Sequence, residues 1–252
     1  IMKKSENHNK NIVIEVKNLT KIYKIFKDDR ERLKGLFLGN RYKRVKLALD
    51  NISFNIYEGE TVAILGRNGA GKSTLSKIIT GVSQQTSGTV KCNKKITSLL
   101  ELTAGFDPNY TGRENIYLRA MLMEIPKKEI EKYIDEIIEF ADIGEYIDIQ
   151  FKKYSSGMGA RLGFAFNSCI KPEVLLVDEA LSVGDENFAK KCLNKVKSIL
   201  SLGTTFIFVT HSMEMAKTFC KRGIVIHESK IIYDGNIKDA VDIYHKINKL
   251  ES

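Results

Sequence analysis

Gly66-Arg67-Asn68-Gly69-Ala70-Gly71-Lys72-Ser73-Thr74 decides how this chain is read. Two glycines with four residues between them, followed by Lys and Ser, form the P-loop pattern. Glycine reaches left-handed dihedrals that side chains resist, so the backbone can curl with its N–H groups converging on an anion. Lys72 brings a positive charge to the β- and γ-phosphates, and the Ser73 hydroxyl suits Mg²⁺. A helix opening near Gly71 adds its positive end to the same anion. Just upstream, Thr61-Val62-Ala63-Ile64-Leu65 is a short apolar run, as expected of a buried strand feeding the loop. Strand, loop and helix in this order predict a nucleoside triphosphate site built on residues 66–74.

The 252 residues suffice for one large α/β domain or a core with a small appended subdomain. No run approaches the roughly 18–20 apolar residues of a membrane span, and the N-terminal stretch is polar and Lys-rich rather than signal-like. Cys92, Cys169, Cys192 and Cys220 show no Cys-x-x-Cys pairing, which favours buried free thiols in a reducing compartment over a disulfide framework or metal site. The formal charge of +9 is unevenly placed, because Lys21 to Lys46 holds ten Lys/Arg against Asp28, Asp29 and Glu31. Such a patch suits an anionic surface, either membrane lipid or nucleic acid; a solvated loop with no partner is the plain alternative.

Outward from the P-loop, Ile12 to Val16 and Ala48 to Ile56 read as strands, with the basic segment between them. Within that segment Leu33, Leu36, Phe37 and Leu38 cluster among basic residues and could form a short amphipathic helix. Gly88 to Cys92 and Ile96 to Leu100 are strand-like. Thr111 to Met123, Lys127 to Ala141 and Ser156 to Ile170 read as helices, the second with Ile130, Ile134, Ile137 and Ile138 on its apolar face. From there strands (173–178, 204–210) alternate with helices (186–200, 212–219), and 223–233 reads as a hairpin around Glu228-Ser229. Alternation argues a parallel sheet, and the helical block from 111 to 170 reads as an insertion into it.

Val174-Leu175-Leu176-Val177-Asp178-Glu179 runs four apolar residues into paired acids, the Walker B pattern. An acid at the end of a buried strand can hold Mg²⁺ opposite Ser73, which assigns Asp178; Glu179 is then placed to polarise an attacking water. Alone, such acids often only cap the next turn; beyond a P-loop they carry more weight.

With Tyr154-Ser155-Ser156-Gly157-Met158 opening a helix shortly before the acidic strand, nearly the whole chain resembles the ATP-binding subunits of ABC transporters, with every motif in the family's order. The resemblance implies ATP and Mg²⁺ as ligands, and a homodimer in which the signature segment of one subunit closes on the γ-phosphate held by the other. Ser155 and Gly157 match the signature, whereas Ser156 and Met158 replace the usual Gly and Gln; a Ser hydroxyl still donates to phosphate. His211 matches the switch histidine at the γ-phosphate. Asp185 matches the loop that crosses the dimer interface, and it also suits a helix N-cap. Tyr23 matches the aromatic that stacks on adenine, an ordinary partly buried Tyr being the alternative. Where the family has a Gln touching Mg²⁺ and water, this chain offers Glu101, an acid able to do either.

The implied fold is α/β: a P-loop NTPase (RecA-like) parallel-sheet core with an N-terminal antiparallel β subdomain and an inserted α-helical subdomain. As one ABC ATPase domain it divides into core (11–100 and 171–235, with a basic insertion at 27–47), helical subdomain (101–170) and C-terminal helix (236–252). Leu99-Leu100-Glu101, Ala104-Gly105-Phe106, Thr111-Gly112-Arg113-Glu114-Asn115-Ile116 and the signature are similar to those of ATPases that export lipid-linked polysaccharide such as O-antigen or teichoic acid. That branch implies a membrane permease partner and a peripheral place on the cytoplasmic face of the bacterial inner membrane. It also implies an anionic lipid or lipid-linked headgroup near 27–47. Some members carry a further C-terminal domain that binds glycan or crosses the membrane; the sequence stops soon after Lys249 and shows none, unless it has been cut short. A nucleic-acid ATPase of the same superfamily is the competing reading. Repair members insert a long coiled coil and translation factors carry two cores, so no nucleic-acid partner is expected.

Overall fold

The computed structural model describes residues 11–25, 44–99, 102–178 and 184–250. Glu101, Glu179 and positions 26–43 of the basic segment lie outside them, as do Ser182 and Val183. In chain order the elements are β1 (Ile12–Ile25), β2 (Arg44–Tyr57), β3 (Thr61–Leu65), α1 (Lys72–Ile79), β4 (Ser87–Cys92), β5 (Ile96–Ser98), α2 (Gly112–Leu122), α3 (Lys127–Ile130) and α4 (Ile134–Ala141). There follow α5 (Ser156–Cys169), β6 (Val174–Asp178), α6 (Glu186–Ser201), β7 (Thr205–Val209), α7 (Met213–Phe219), β8 (Arg222–His227), β9 (Lys230–Asn236) and α8 (Ile237–Leu250). They form two units, one of residues 1–94 and 209–252, the other of 95–208.

In the first unit β1 runs antiparallel between β2 and β4. Ile14, Val16 and Leu19 pair with Ile56, Phe54 and Ile52, and all six are buried. Period-two alternation stops at Lys17-Asn18, where Asn18 takes φ 47° and its N–H bonds Ser53 Oγ at 2.8 Å. The strand nevertheless continues through register shifts to Ile25, nine residues past the expected end, pairing Ile22 with Leu47 and Tyr23 with Lys46. The hydrophobic strand β3 lies parallel to β8, which returns antiparallel as β9. Their tight turn is at Glu228-Ser229, with φ of 44° and 67°, where the sequence placed it. Arg222 fastens this end: it grips Asp234 through two bonds of 2.7 Å and donates to Glu60 Oε2 at 2.9 Å. Charge-assisted forked bonds of this kind fix orientation as well as contact.

The second unit carries strands in the order β5-β6-β7, with β5 and β6 parallel. Phe164, Phe166, Phe206 and Phe208 are fully buried, and Phe140 stacks on Phe164 with centroids 5.8 Å apart. The helix expected over 127–141 is interrupted: Lys132 and Tyr133 N–H groups bond carbonyls three residues back, tightening one turn between α3 and α4. Ile130, Ile134 and Ile137 stay buried across the break. Cys169, Cys192 and Cys220 are buried thiols as expected, but Cys92 is exposed on β4. Burial pushes the Cys169 and Cys192 thiols up to about 11 and about 12, which keeps them protonated and inert.

Candidate functional site

The P-loop follows β3, of which Val62 to Leu65 are buried, and Gly66 and Gly71 are required by their surroundings. A Cβ at Gly66 would lie 2.5 Å from the Ile226 carbonyl oxygen. At Gly71, φ is 111°, and a Cβ would lie 2.8 Å from Leu49 Cδ2 and nearer still to the Ala48 oxygen. Gly69, with φ 85°, faces open space. Lys72 is only 6% exposed, and its Nζ donates to the Gly66 carbonyl at 2.7 Å and to that of Arg67 at 3.2 Å. The ammonium is thus folded back over the loop. Arg67, Asn68, Gly69 and Ser73 are exposed, Thr74 is half-buried and Ala70 is buried. A first-turn bond of α1 runs from the Leu75 N–H to the Gly71 carbonyl, so the helix opens directly behind the loop with its N-terminal end toward it. A loop closed to a Cβ at Gly66 and Gly71, a helix N-terminus and a buried cation together fit a phosphate.

Two further residues belong to this unit. Thr210 N–H donates to Ile64 O at 3.4 Å, so the turn bearing His211 lies beside the strand that delivers the P-loop. That turn is pinned by Ser212 N–H on Thr210 Oγ1 at 2.9 Å, and His211 is exposed on it. Tyr23, 37% exposed, has Lys21 Nζ at 4.9 Å from its ring centroid.

The second unit holds the acidic strand and the signature segment. Asp178 ends β6 half-buried after four buried apolar residues. Ser155 caps α5, its Oγ accepting the Met158 N–H at 3.2 Å; Ser155 and Ser156 are exposed, and Gly157 faces open space apart from Ser155 Oγ at 3.9 Å. A small, open helix N-terminus offers free amide and hydroxyl donors. Asp185 caps α6, accepting the Phe188 N–H at 2.9 Å, and its other oxygen takes Arg161 Nη2 at 2.6 Å. The Phe188 amide and then the Arg161 charge hold the Asp185 carboxyl below its ordinary range.

Arg161 is the residue that motif reading passed over. It leaves α5 three residues after the signature and stacks 4.6 Å from the Phe188 centroid. It also donates to the Asp142 carbonyl at 3.1 Å, tying the signature helix to the start of α6 and the end of α4. One signal was available: it is the single charged residue in Ser156–Cys169.

The family model described as ABC transporter matches residues 49–182. A teichoic acids export ATP-binding protein, TagH, of Bacillus anthracis is 42% identical over 95% of this chain, which spans 43% of that relative's length. The O-antigen export system ATP-binding protein RfbB of Klebsiella pneumoniae is 38% identical, covering 92% of this chain and 97% of its own. Among solved structures, the dimeric bacterial ABC transporter cassette MJ0796 superposes with a TM-score of 0.70 at 24% identity, over 89% of this chain and 98% of its own. An ATP-binding subunit of an ABC transporter gives 0.73 at 20% identity, over 92% and 93%. These likenesses show the P-loop NTPase fold with its antiparallel N-terminal sheet. With the family model and the relatives in agreement, this chain belongs to the ABC transporter family.

Proposed function

We propose that the chain is the ATP-hydrolysing subunit of an exporter for lipid-linked polysaccharide, of the teichoic acid or O-antigen kind, working as a homodimer against a membrane permease. The observation that carries the nucleotide reading is the Lys72 ammonium folded onto the Gly66 and Arg67 carbonyls, in a loop closed to a Cβ at Gly66 and Gly71. The substrate class rests on what the relatives are named for. Gly66 to Thr74 wrap the phosphates of ATP, Lys72 neutralises them, and Tyr23 stacks on adenine. Ser73, Asp178 and Glu101 would hold Mg²⁺, a hydroxyl and carboxylates being the hard oxygen donors it takes; when bound, the ion offsets charge on the β- and γ-oxygens. Glu179 accepts a proton from the attacking water and His211 orients the γ-phosphate. Ser155, Ser156 and Gly157 of each subunit close on the nucleotide of the other, beside Asp185. No described helix is long and apolar enough to cross a membrane. In this reading, which rests on the export roles the relatives are named for, a permease supplies the path and this subunit is peripheral on the cytoplasmic face. The basic segment 27–47 meets an anionic headgroup there.

Glu179→Gln tests the assignment. The variant should bind ATP and dimerise in light scattering, while steady-state turnover falls by at least about a hundredfold. Lys72→Ala should lose ATP binding. Wild-type turnover in the first, or wild-type binding in the second, refutes the site.

A further inference from the structure

Tyr154, directly before the signature serines, is half-buried, and its hydroxyl donates to the Tyr146 carbonyl at 2.6 Å. Its ring lies among aromatics, 5.0 Å from the Phe151 centroid and edge-on to Tyr146 at 6.4 Å. Burial pushes the hydroxyl up to about 12, the Asp148 charge adding and the Gly112 N–H opposing, so the group stays a protonated donor at neutral pH. Gly112 is what makes room for it. A Cβ there would overlap the Tyr154 oxygen and lie 3.1 Å from both Ile147 Cδ1 and Ile147 O. The residue opens α2 with no left-handed φ, so its conformation would admit alanine, the better helix former; only space forbids it.

The rest of Thr111-Gly112-Arg113-Glu114-Asn115 braces the same corner. Thr111 and Glu114 cap α2 reciprocally, with bonds of 3.1 and 2.7 Å. Arg113 forks onto Asp148 at 2.8 and 3.2 Å, holding the short turn Gly144–Asp148 that presents the Tyr146 carbonyl. Asn115, fully buried, donates to the carbonyls of Asp107, Tyr110 and Thr111. The Tyr110 carbonyl in turn accepts the Phe151 N–H, and that of Pro108 the Lys152 N–H, each at 2.8 Å. The backbone leading into the signature is thus laid along the approach to α2. Farther along, Arg119 of α2 donates to the Leu102 carbonyl and to Asn167 Oδ1 of α5 at 3.3 Å, so α2 and α5 are tied at both ends.

We propose that Tyr154 is a positioning residue: its hydroxyl, seated over Gly112 and bonded to Tyr146, fixes where Ser155, Ser156 and Gly157 present their donors. This inference rests on the reading of 155–157 as the segment that closes on the nucleotide of the other subunit. Ser155 is the next residue along, and a misplacement of about 1 Å in a positioned group can cost about a hundredfold in rate.

The test is steady-state ATP hydrolysis by Tyr154→Phe, Gly112→Ala and the Gly112→Ala/Tyr154→Phe double variant of the full chain, with ATP dissociation constants measured alongside. Tyr154→Phe, which keeps the ring and loses the bond, should lower kcat about threefold to tenfold. Gly112→Ala, which drives the hydroxyl off its seat, should lower it about tenfold to a hundredfold. The ATP dissociation constant should stay within about twofold in both, the P-loop being untouched. In the double variant the ring without its oxygen leaves space for the new methyl, so kcat should exceed that of Gly112→Ala by at least about threefold. Wild-type kcat in Tyr154→Phe overturns the proposal. A double variant no faster than Gly112→Ala overturns it too, because the glycine then makes room for something other than the hydroxyl. Mixing separates positioning from a merely structural defect. A Gly112→Ala chain should regain up to about a quarter of the wild-type rate with a Lys72→Ala chain, whose signature is intact, and regain nothing with a Ser155→Arg chain. The same behaviour with either chain makes the corner merely structural and overturns the proposal. Should Gly112→Ala not fold, Tyr154→Phe takes its place in the mixtures, with the same pattern expected. Wild-type turnover in Ser155→Arg removes the signature reading itself, and the proposal with it; where Ser155→Arg is inactive, the other outcomes judge Tyr154 alone.

Discussion

Gly71→Ala and Gly69→Ala together ask whether the P-loop is held by its neighbours or only by its own dihedrals. Both glycines have positive φ, 111° and 85°, so an alanine at either position costs about 1–2 kcal/mol of backbone strain. At Gly69 nothing lies within 4 Å of the new Cβ, and the penalty ends there. At Gly71 the Cβ meets Leu49 Cδ2 at 2.8 Å and, closer still, the Ala48 carbonyl. The leucine tip can swing aside, but the carbonyl belongs to β2 and moves only with the strand. Overpacking of this sort adds about 1–3 kcal/mol, so Gly71→Ala should cost about 2–5 kcal/mol in total. The loop shift needed to relieve the clash also drags the amides of residues 71–74 off the phosphate. Urea unfolding and equilibrium ATP binding measure the two effects. Gly71→Ala should lose at least about tenfold in affinity, the equivalent of about 1.4 kcal/mol, and Gly69→Ala clearly less. If the two variants match each other in stability and in affinity, β2 does not support the loop and the reasoning fails.

The Asp185 carboxylate, held below its usual range first by the Phe188 amide and then by Arg161, gives a pH prediction. Its folded value lies below its unfolded one, so the charged form stabilises the fold above the ordinary carboxylate pKa, and this is lost as pH falls through the folded value. Asp185→Asn keeps a capping oxygen and loses the charge; its deficit in urea midpoint at pH 7 should shrink progressively below about pH 4, and a deficit equal at both ends rules the charge out. The basic segment 27–47 should bind anionic liposomes at low salt and release them near 1 M, where the Debye length is about 3 Å. A charge-reversed segment that binds equally well removes the headgroup from the account.

Much of this was legible in the sequence where chemistry sits in consecutive residues. The run 61–65 into 66–74, the strand 174–178 and the caps at Ser155 and Asp185 each carry their reason locally. The extension of β1 to Ile25 was not legible, because Ile22, Tyr23 and Ile25 are exposed on a strand whose alternation breaks at Asn18. Nor was the break before Ile134, since the isoleucine spacing fits one continuous helix. Arg119 and Arg161 stayed hidden for a different reason. Their partners, Leu102, Asn167, Asp142 and Asp185, lie between 17 and 48 residues away, and no local pattern announces a contact made through the fold.

The central claim is that each ATP is enclosed by two subunits, the P-loop of one and the signature of the other. Mixing a Lys72→Ala chain with a Ser155→Arg chain tests it directly, since each is inactive alone and only the mixed dimer holds one intact pair. Hydrolysis should return on mixing, up to about a quarter of the wild-type rate at equal amounts, half the dimers being mixed with one working site of two. A mixture as inactive as its components would mean that each chain completes its own pocket, and would contradict the account.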